Sequence, residues 1–395
     1  METNLNFRPN PDRGVFLNDL VGAELLKKLT PEILGLKSKN VAPITLYIDS
    51  FGGNIFYARS LRELLRSPDQ DGATCPLITV VTGYAASSAA DLLAAGNYAL
   101  AYPHARIICH GNRREDQEIT QERAWSLAKF LAVSNEEFAL QYAHDCIGRF
   151  IFRYCNQISN FVEIRKAEGH EEAKDIECFL YVLKSNVSSH LQMLLDNAYN
   201  QSTASEALDA FVERKLEGAS APARSAEFET HVLKAILDFE LENNLGQNWS
   251  FLRAGMEQIE EKFRLTIDRH LEHHHDAVFK QCLRWSEFFL TDQEQAELER
   301  PSSDEDFARL IAKISEHLRP IWFLLVAIGR LLQKGEYELS AGDAYWFGLV
   351  DEVYGRDDLV SLREFLESGQ EEDELVSFSD SNGIVTHPSA QVPSN

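Results

Sequence analysis

Positive charge is scarce in this chain. Lys and Arg total 38 against 62 Asp and Glu, leaving a formal net charge of −24. Such a surface repels phosphate backbones and anionic headgroups, so nucleic acid and membrane surfaces are excluded as expected partners. Long hydrophobic runs are also missing. The greasiest stretch, Ile321 to Gly329, is less than half a membrane span and reads as a buried core element. The N-terminal "METNLNFRPNPDRG" has no apolar core, so no signal peptide is expected there. The six cysteines show no CxxC pairing, which fits reduced, mostly buried thiols and a cytoplasmic location. No GxxxxGK[ST] phosphate loop occurs in the sequence, so any use of ATP would belong to a separate partner.

Proline is sparse as well, and its distribution divides the chain. Between Glu115 and Pro320 only Pro222, Pro301 and Pro320 interrupt long helical patterns. A stripe from Met256 to Trp285 steps by three and four residues, as an amphipathic helix does. The stretch Leu216–Phe228 reads as a linker, and the acidic, then Ser-, Asn- and Pro-containing end reads as a disordered tail. The first third is different. "PITLYI" (Pro43–Ile48), "PLITVVTG" (Pro76–Gly83) and "ARIICH" (Ala105–His110) are strand-like. Between the first two lies a helical pattern with Ile55, Ala58, Leu61 and Leu65 on one face. Strands spaced by short helices predict βαβ units and a mostly parallel sheet.

Two turns in this α/β part invite chemistry. In "DSFGG", Gly52 and Gly53 end a strand without Cβ atoms, so their N–H groups can approach a ligand. In "GYAASSAADLL", Ser87 and Ser88 stand where a helix begins and free N–H groups converge. Together two such turns can form an oxyanion hole, although each alone is also what a tight turn or a helix cap requires. His110 closes the third strand and matters only if it reaches a serine. His270 and His274 have the spacing of a two-histidine metal site, with His273, His275 and Asp276 nearby, but His274 lies on the apolar stripe and no third ligand is fixed by the sequence. No metal and no organic cofactor is expected.

Four stretches in order, "LYIDSFGG", "GYAASSAADLLAAG", "YPHARIICHG" and "LSAGDAYWFGLVD", resemble the successive motifs of the Clp protease proteolytic subunit (ClpP) family. "RGVFLNDLV" from Arg13 resembles that family's first strand, and Ile119 to Gly148 resembles its long handle helix. The resemblance implies an α/β, ClpP/crotonase-like fold with a large all-α insertion in the handle region. The implied segments are an α/β domain over 1–148, a helical insertion over 149–320, the closing part of the α/β domain over 321–366 and a tail over 367–395. By the same resemblance Ser87 is the nucleophile, His110 the general base and Glu336 the third triad member, where the family has aspartate. The N–H groups of Gly53 and Ser88 would hold the oxyanion, and Gly52 and Gly111 would border the substrate.

The implied activity is peptide hydrolysis by a serine peptidase acting through an acyl-enzyme on a peptide or unfolded protein. A homo-oligomer and a separate ATP-dependent unfoldase or regulatory partner are implied with it. Phe51 replaces the family's proline in the glycine turn, and Gly111-Asn112 replaces the Gln-Pro that follows the histidine. On the same fold, acyl-CoA enzymes work without the Ser–His pair, and signal-peptide peptidases use a Ser–Lys dyad. The remaining alternative is a catalytically weak or inactive assembly protein whose helical insertion binds a partner.

Overall fold

Three β-branched, apolar runs build the centre of the sheet. The computed structural model describes residues 7–68, 72–113, 120–167, 175–216, 293–294, 304–361 and 363. The strands are β1 (Gly14–Leu17), β2 (Ile44–Ser50), β3 (Leu77–Ala86), β4 (Tyr98–Ala101), β5 (Arg106–His110), β6 (Glu336–Ser340) and β7 (Glu352–Val353). The main path runs β1-β2-β3-β4-β7, all parallel. One face packs on the main core; on the other, Ile78, Val80, Tyr98 and Leu100 are buried with Phe7 and Phe152, while Phe16 on β1 is exposed.

β3 is the branch point of the architecture. Its first half, Ile78–Val81, pairs with β4, while Tyr84–Ala86 pairs with β5. β5 in turn pairs antiparallel with β6 in the register His110 opposite Glu336. The sequence pattern places the end of this strand at Gly83, yet it continues to Ala86. Pairing of Ala85 with Ser50 on one side and of Tyr84–Ala86 with β5 on the other holds the small residues extended. Gly83 therefore serves a different need from a turn. A Cβ there would lie 2.5 Å from the Asp49 carboxylate, which accepts the Tyr84 N–H at 2.9 Å.

The helices in the α/β part are α1 (Ala23–Lys37), α2 (Ile55–Arg66) and α3 (Ser88–Ala94). α2 starts at Asn54, whose side chain accepts the Phe56 N–H, and it buries Ala58, Leu61 and Leu65 as the periodicity predicts. α4 (Gln121–Ala167) begins after Thr120, which accepts the Arg123 N–H at 3.3 Å, and runs without a break across residue 148. α5 (Asp175–Asn186), α6 (Ser189–Leu216) and α7 (Asp304–Leu332) follow, with α7 packed on α4 and α6. α7 carries the apolar run, every residue of which from Ile321 to Ile328 is buried. At Gly329 the two long helices cross closely; a Cβ would sit 2.8 Å from Ala139 Cα. Among the described residues no helix is long and apolar enough to cross a membrane. The 216–228 linker is described only at Leu216; the 256–285 stripe, the histidine cluster and the 367–395 tail lie outside the described residues.

The chain closes through β6, the short α8 (Ala341–Trp346) and β7. Ser340 and Asp343 form a reciprocal capping box at the start of α8. Asp343 also accepts from the Ser188 N–H and hydroxyl at 2.7 and 2.8 Å, tying the turn before α6 to this closing segment.

Arg149, wholly inside on α4, joins these parts. Its Nε pairs with Asp351 at 2.8 Å, Nη1 donates to Ala94 and Gly348 carbonyls, and Nη2 donates to Gly96 O at 2.8 Å. Asp351 also accepts the Ala99 N–H at 2.7 Å. Such a buried pair holds only while both charges are met. Arg149→Ala is expected to lower unfolding stability by about 3–5 kcal/mol, because it strands Asp351 in the core; urea unfolding at neutral pH measures this.

Candidate active site

The site grows from the end of β3. Ser87 has φ 55° and ψ −128°, the only positive φ at a non-glycine position among the described residues. A side chain in this region costs about 1–3 kcal/mol and persists only when its surroundings enforce it. They do so here: the Ser87 N–H donates to Ile108 O at 2.8 Å, and the Ala90 N–H closes on Ser87 O at 2.9 Å. The chain thus turns sharply from strand to helix, leaving the Ser87 side chain half-buried. Its Oγ makes no hydrogen bond among the described residues. Ser88 differs: its side chain is buried and its hydroxyl has no partner, so its place suits a backbone donor rather than a second nucleophile.

The glycine turn packs directly on this elbow. Gly52 has φ 85°, and a Cβ there would lie 2.3 Å from Ala86 O, 2.8 Å from Ser87 Cβ and 3.1 Å from Ser88 N. Its own N–H donates to Ser50 Oγ at 3.1 Å, and its carbonyl accepts the Val21 N–H at 2.8 Å. Val21 O accepts from Asn54. In a parallel bridge Val21 thereby bonds to the neighbours of Gly53, which leaves the Gly53 N–H on the opposite side. The Ser88 N–H stands at the first position of α3, where no intrahelical acceptor exists. Phe51 stacks on Tyr84 with centroids 5.1 Å apart, so an aromatic pair braces the turn where the resembled family has proline.

His110 lies two residues beyond the Ile108 carbonyl that holds the elbow. Its Nδ1 lies 2.8 Å from Gly111 O. A carbonyl only accepts, so in this contact Nδ1 is the donor. Glu336, opposite in the ladder, does not touch the imidazole. Its carboxylate takes Arg113 Nη2 at 2.8 Å, and that guanidinium holds it below the ordinary glutamate range, with a smaller contribution from His110. Three residues after His110, from Gly111 to Arg113, thus engage both groups that the sequence reading joined. Glu336 was reached by counting back from Leu339; its arginine neighbour carries no comparable sequence signal.

On the reverse side of α3 and β5 lies a cavity of about 580 Å³ between α2, α3 and α4. Asp91 and Cys109 face it. The motif reading passed over Asp91, although a lone acid in "SSAADLLAAG" was a visible irregularity. The four cysteines whose side chains are described, Cys75, Cys109, Cys146 and Cys178, are buried. Among the described residues no group of three or more His, Cys, Asp or Glu side chains could hold a metal ion.

A branched, mostly parallel sheet, a glycine turn packed on a strained strand-to-helix elbow and a closing β6–α8 segment define a ClpP/crotonase-like fold. A family model described as Clp protease matches residues 7–136. That part contains the elbow, the glycine turn and His110 but not Glu336. Over 106 residues the chain is 34% identical to the ATP-dependent Clp protease proteolytic subunit 2 of Prochlorococcus marinus (strain NATL2A), covering 26% of this chain and 50% of that protein. Over 102 residues it is 35% identical to the ATP-dependent Clp protease proteolytic subunit 1 of Mycobacterium tuberculosis (strain ATCC 25618 / H37Rv), covering 25% and 48% respectively. The chain spans about half the length of these curated relatives.

The elbow's strain has a measurable signature. Ser87→Gly is expected to be more stable than Ser87→Ala by about 1 kcal/mol, after the larger unfolded-chain entropy of glycine is subtracted. Gly52→Ala should cost about 2 kcal/mol or more, since its Cβ has no room. Thermal denaturation of the three variants checks both.

Proposed function

We propose that this protein is a serine peptidase that cleaves peptide bonds through an acyl-enzyme. The observation that carries the reading is Ser87, held at positive φ with the Gly52 turn packed against its Cβ and the Ser88 nitrogen. Ser87 Oγ attacks the scissile carbonyl carbon while its proton passes to His110 Nε2. The tetrahedral oxyanion is held by the Gly53 and Ser88 amides. Collapse breaks the C–N bond, and the leaving amine takes the proton from His110. Water then attacks the ester, His110 accepts its proton, and the acid leaves as Ser87 is regenerated. Gly52 and Gly111 border the substrate backbone.

The orienting group is the less determined part of this scheme. In the resting arrangement Gly111 O holds Nδ1. For Glu336 to complete a Ser–His–Glu triad, its pair with Arg113 must open. Both side chains are more than 60% exposed, so little resists that opening. The substrate is a peptide or unfolded protein. The relatives are named ATP-dependent and are subunits. By that analogy this chain works as a cytoplasmic homo-oligomer beside a separate ATP-dependent unfoldase or regulatory partner. The Arg113–Glu336 pair also favours a second reading, a catalytically weak assembly protein whose helical segment binds a partner.

A fluorophosphonate probe separates the two. Wild type and Ser88→Ala are expected to be labelled, Ser87→Ala not at all, and His110→Ala about 10²–10⁴-fold more slowly. Absence of labelling in folded wild type, or labelling that survives Ser87→Ala, sinks the peptidase reading.

A further inference from the structure

The cavity behind the elbow is polar in an uneven way. Its charged lining comprises two arginines, Arg59 and Arg62, and four acids, Glu63, Asp91, Glu137 and Asp145. Both arginines are engaged: Arg59 with Glu137 and Arg62 with Asp145, each at 2.7 Å. Burial pushes the Asp145 carboxyl up, but Arg62 and then Arg66 outweigh it and hold it below the ordinary range. Asp91 is left over. Its carboxyl accepts no hydrogen bond among the described residues, although protein surrounds it and only the cavity side stays open. Apolar walls from Ile55, Leu92, Phe138 and Leu349 complete the space. A cavity of this size suits a small molecule.

We infer that this cavity is a binding site for a small amphipathic monocation, an amine on an aryl or alkyl body, with the ammonium donating to Asp91. The apolar walls take the body, and the surplus of acids over arginines selects the positive head. An anion would meet Asp91 and find both arginines already paired. The site is separate from the elbow yet shares its supports. Asp91 sits on α3, four residues after Ser87, and Cys109 precedes His110 on β5. A ligand here bears on both elements from behind.

Burial raises the Asp91 carboxyl to about 7, against the partial relief of Arg62 and Arg59, while Asp145 adds to the rise. The groups facing it are Arg59, Arg62 and Glu63 from α2, Glu137, Tyr142 and Asp145 from α4, and Cys109 from β5. Burial also pushes the Cys109 and Tyr142 groups upward, so both stay neutral between pH 5 and 8. The Asp91 carboxyl changes charge within that range, and the ammonium requires its ionised form. Amine binding should therefore weaken as pH falls below about 7, by roughly tenfold per unit once Asp91 is mostly protonated.

Calorimetric titration of the full chain with 4-phenylbutylamine, 4-phenylbutanol and 4-phenylbutyrate tests this without requiring turnover, so failure of the peptidase reading leaves the result interpretable. At pH 8 the amine should bind at least tenfold more tightly than the alcohol, the carboxylate should bind weakest, and the amine's advantage should shrink at pH 5. Asp91→Asn, nearly isosteric, should abolish that advantage; Glu63→Gln, at the rim, should preserve it. Equal binding of amine and alcohol, no binding of either, or selectivity lost in Glu63→Gln but kept in Asp91→Asn overturns the proposal. So does protection of the cavity by a second copy of the chain, seen as amine binding that appears only on dilution to monomer.

Discussion

The buried Arg149 guanidinium is the constraint on which the site depends. A short helix such as α3 is not stable by itself, and its last carbonyls face inward with no intrahelical donors. Arg149 supplies donors to Ala94 O and Gly96 O at that end and takes Asp351 from the closing segment. The cation at the C-terminus also meets the negative end of the helix dipole. With α3 held from its C-terminal end, its N-terminus can carry the strained Ser87 backbone. The positive φ at Ser87 and the buried ion pair at Arg149 are thus opposite ends of one device.

That device explains why the long helix and the α/β part cannot be separated at residue 148. Arg149 and Phe150 follow that position on the same unbroken helix, and both serve the sheet side: Phe150 fills the space that Gly348 leaves by having no Cβ. Burial of Arg153 close behind continues the same face, with its guanidinium over the Tyr345 ring. Further along, Phe179 meets Phe150 edge-on, so α5 extends this core rather than starting another. Covalent order makes the helical segment look inserted, whereas packing makes its first turns part of the support for the elbow.

How much was legible follows from the range of each interaction. β2, β3, β5 and α2 were readable because period and composition are local signals. The Gly52 turn and the Ser87 elbow were readable because special backbone geometry demands special residues. The extension of β3 beyond Gly83 was hidden, since only its pairing with β2 and β5 enforces it. Arg149 looked like one more charge on a long helix; four of its acceptors come from distant segments. Glu336 was found by motif spacing, but the Arg113 contact depends on the antiparallel ladder that brings the two loop ends together. Asp91 was passed over by the motif reading, and its place became evident only with the cavity.

The two faces of α3 then have opposed chemistry for one physical reason. The elbow side collects small residues that let backbones approach closely. The opposite side cannot be filled by alanine alone, and the space between Ala90, Ala94 and α4 stays open. An apolar residue at position 91 would help close it; aspartate instead keeps a charge-capable group there at a cost in desolvation. That cost brings no gain through a hydrogen bond within the described fold, which places the explanation in what enters the cavity. The small residues that allow the strained serine thus also leave room behind it, so one short helix separates the Ser87 elbow from the cavity that Asp91 lines.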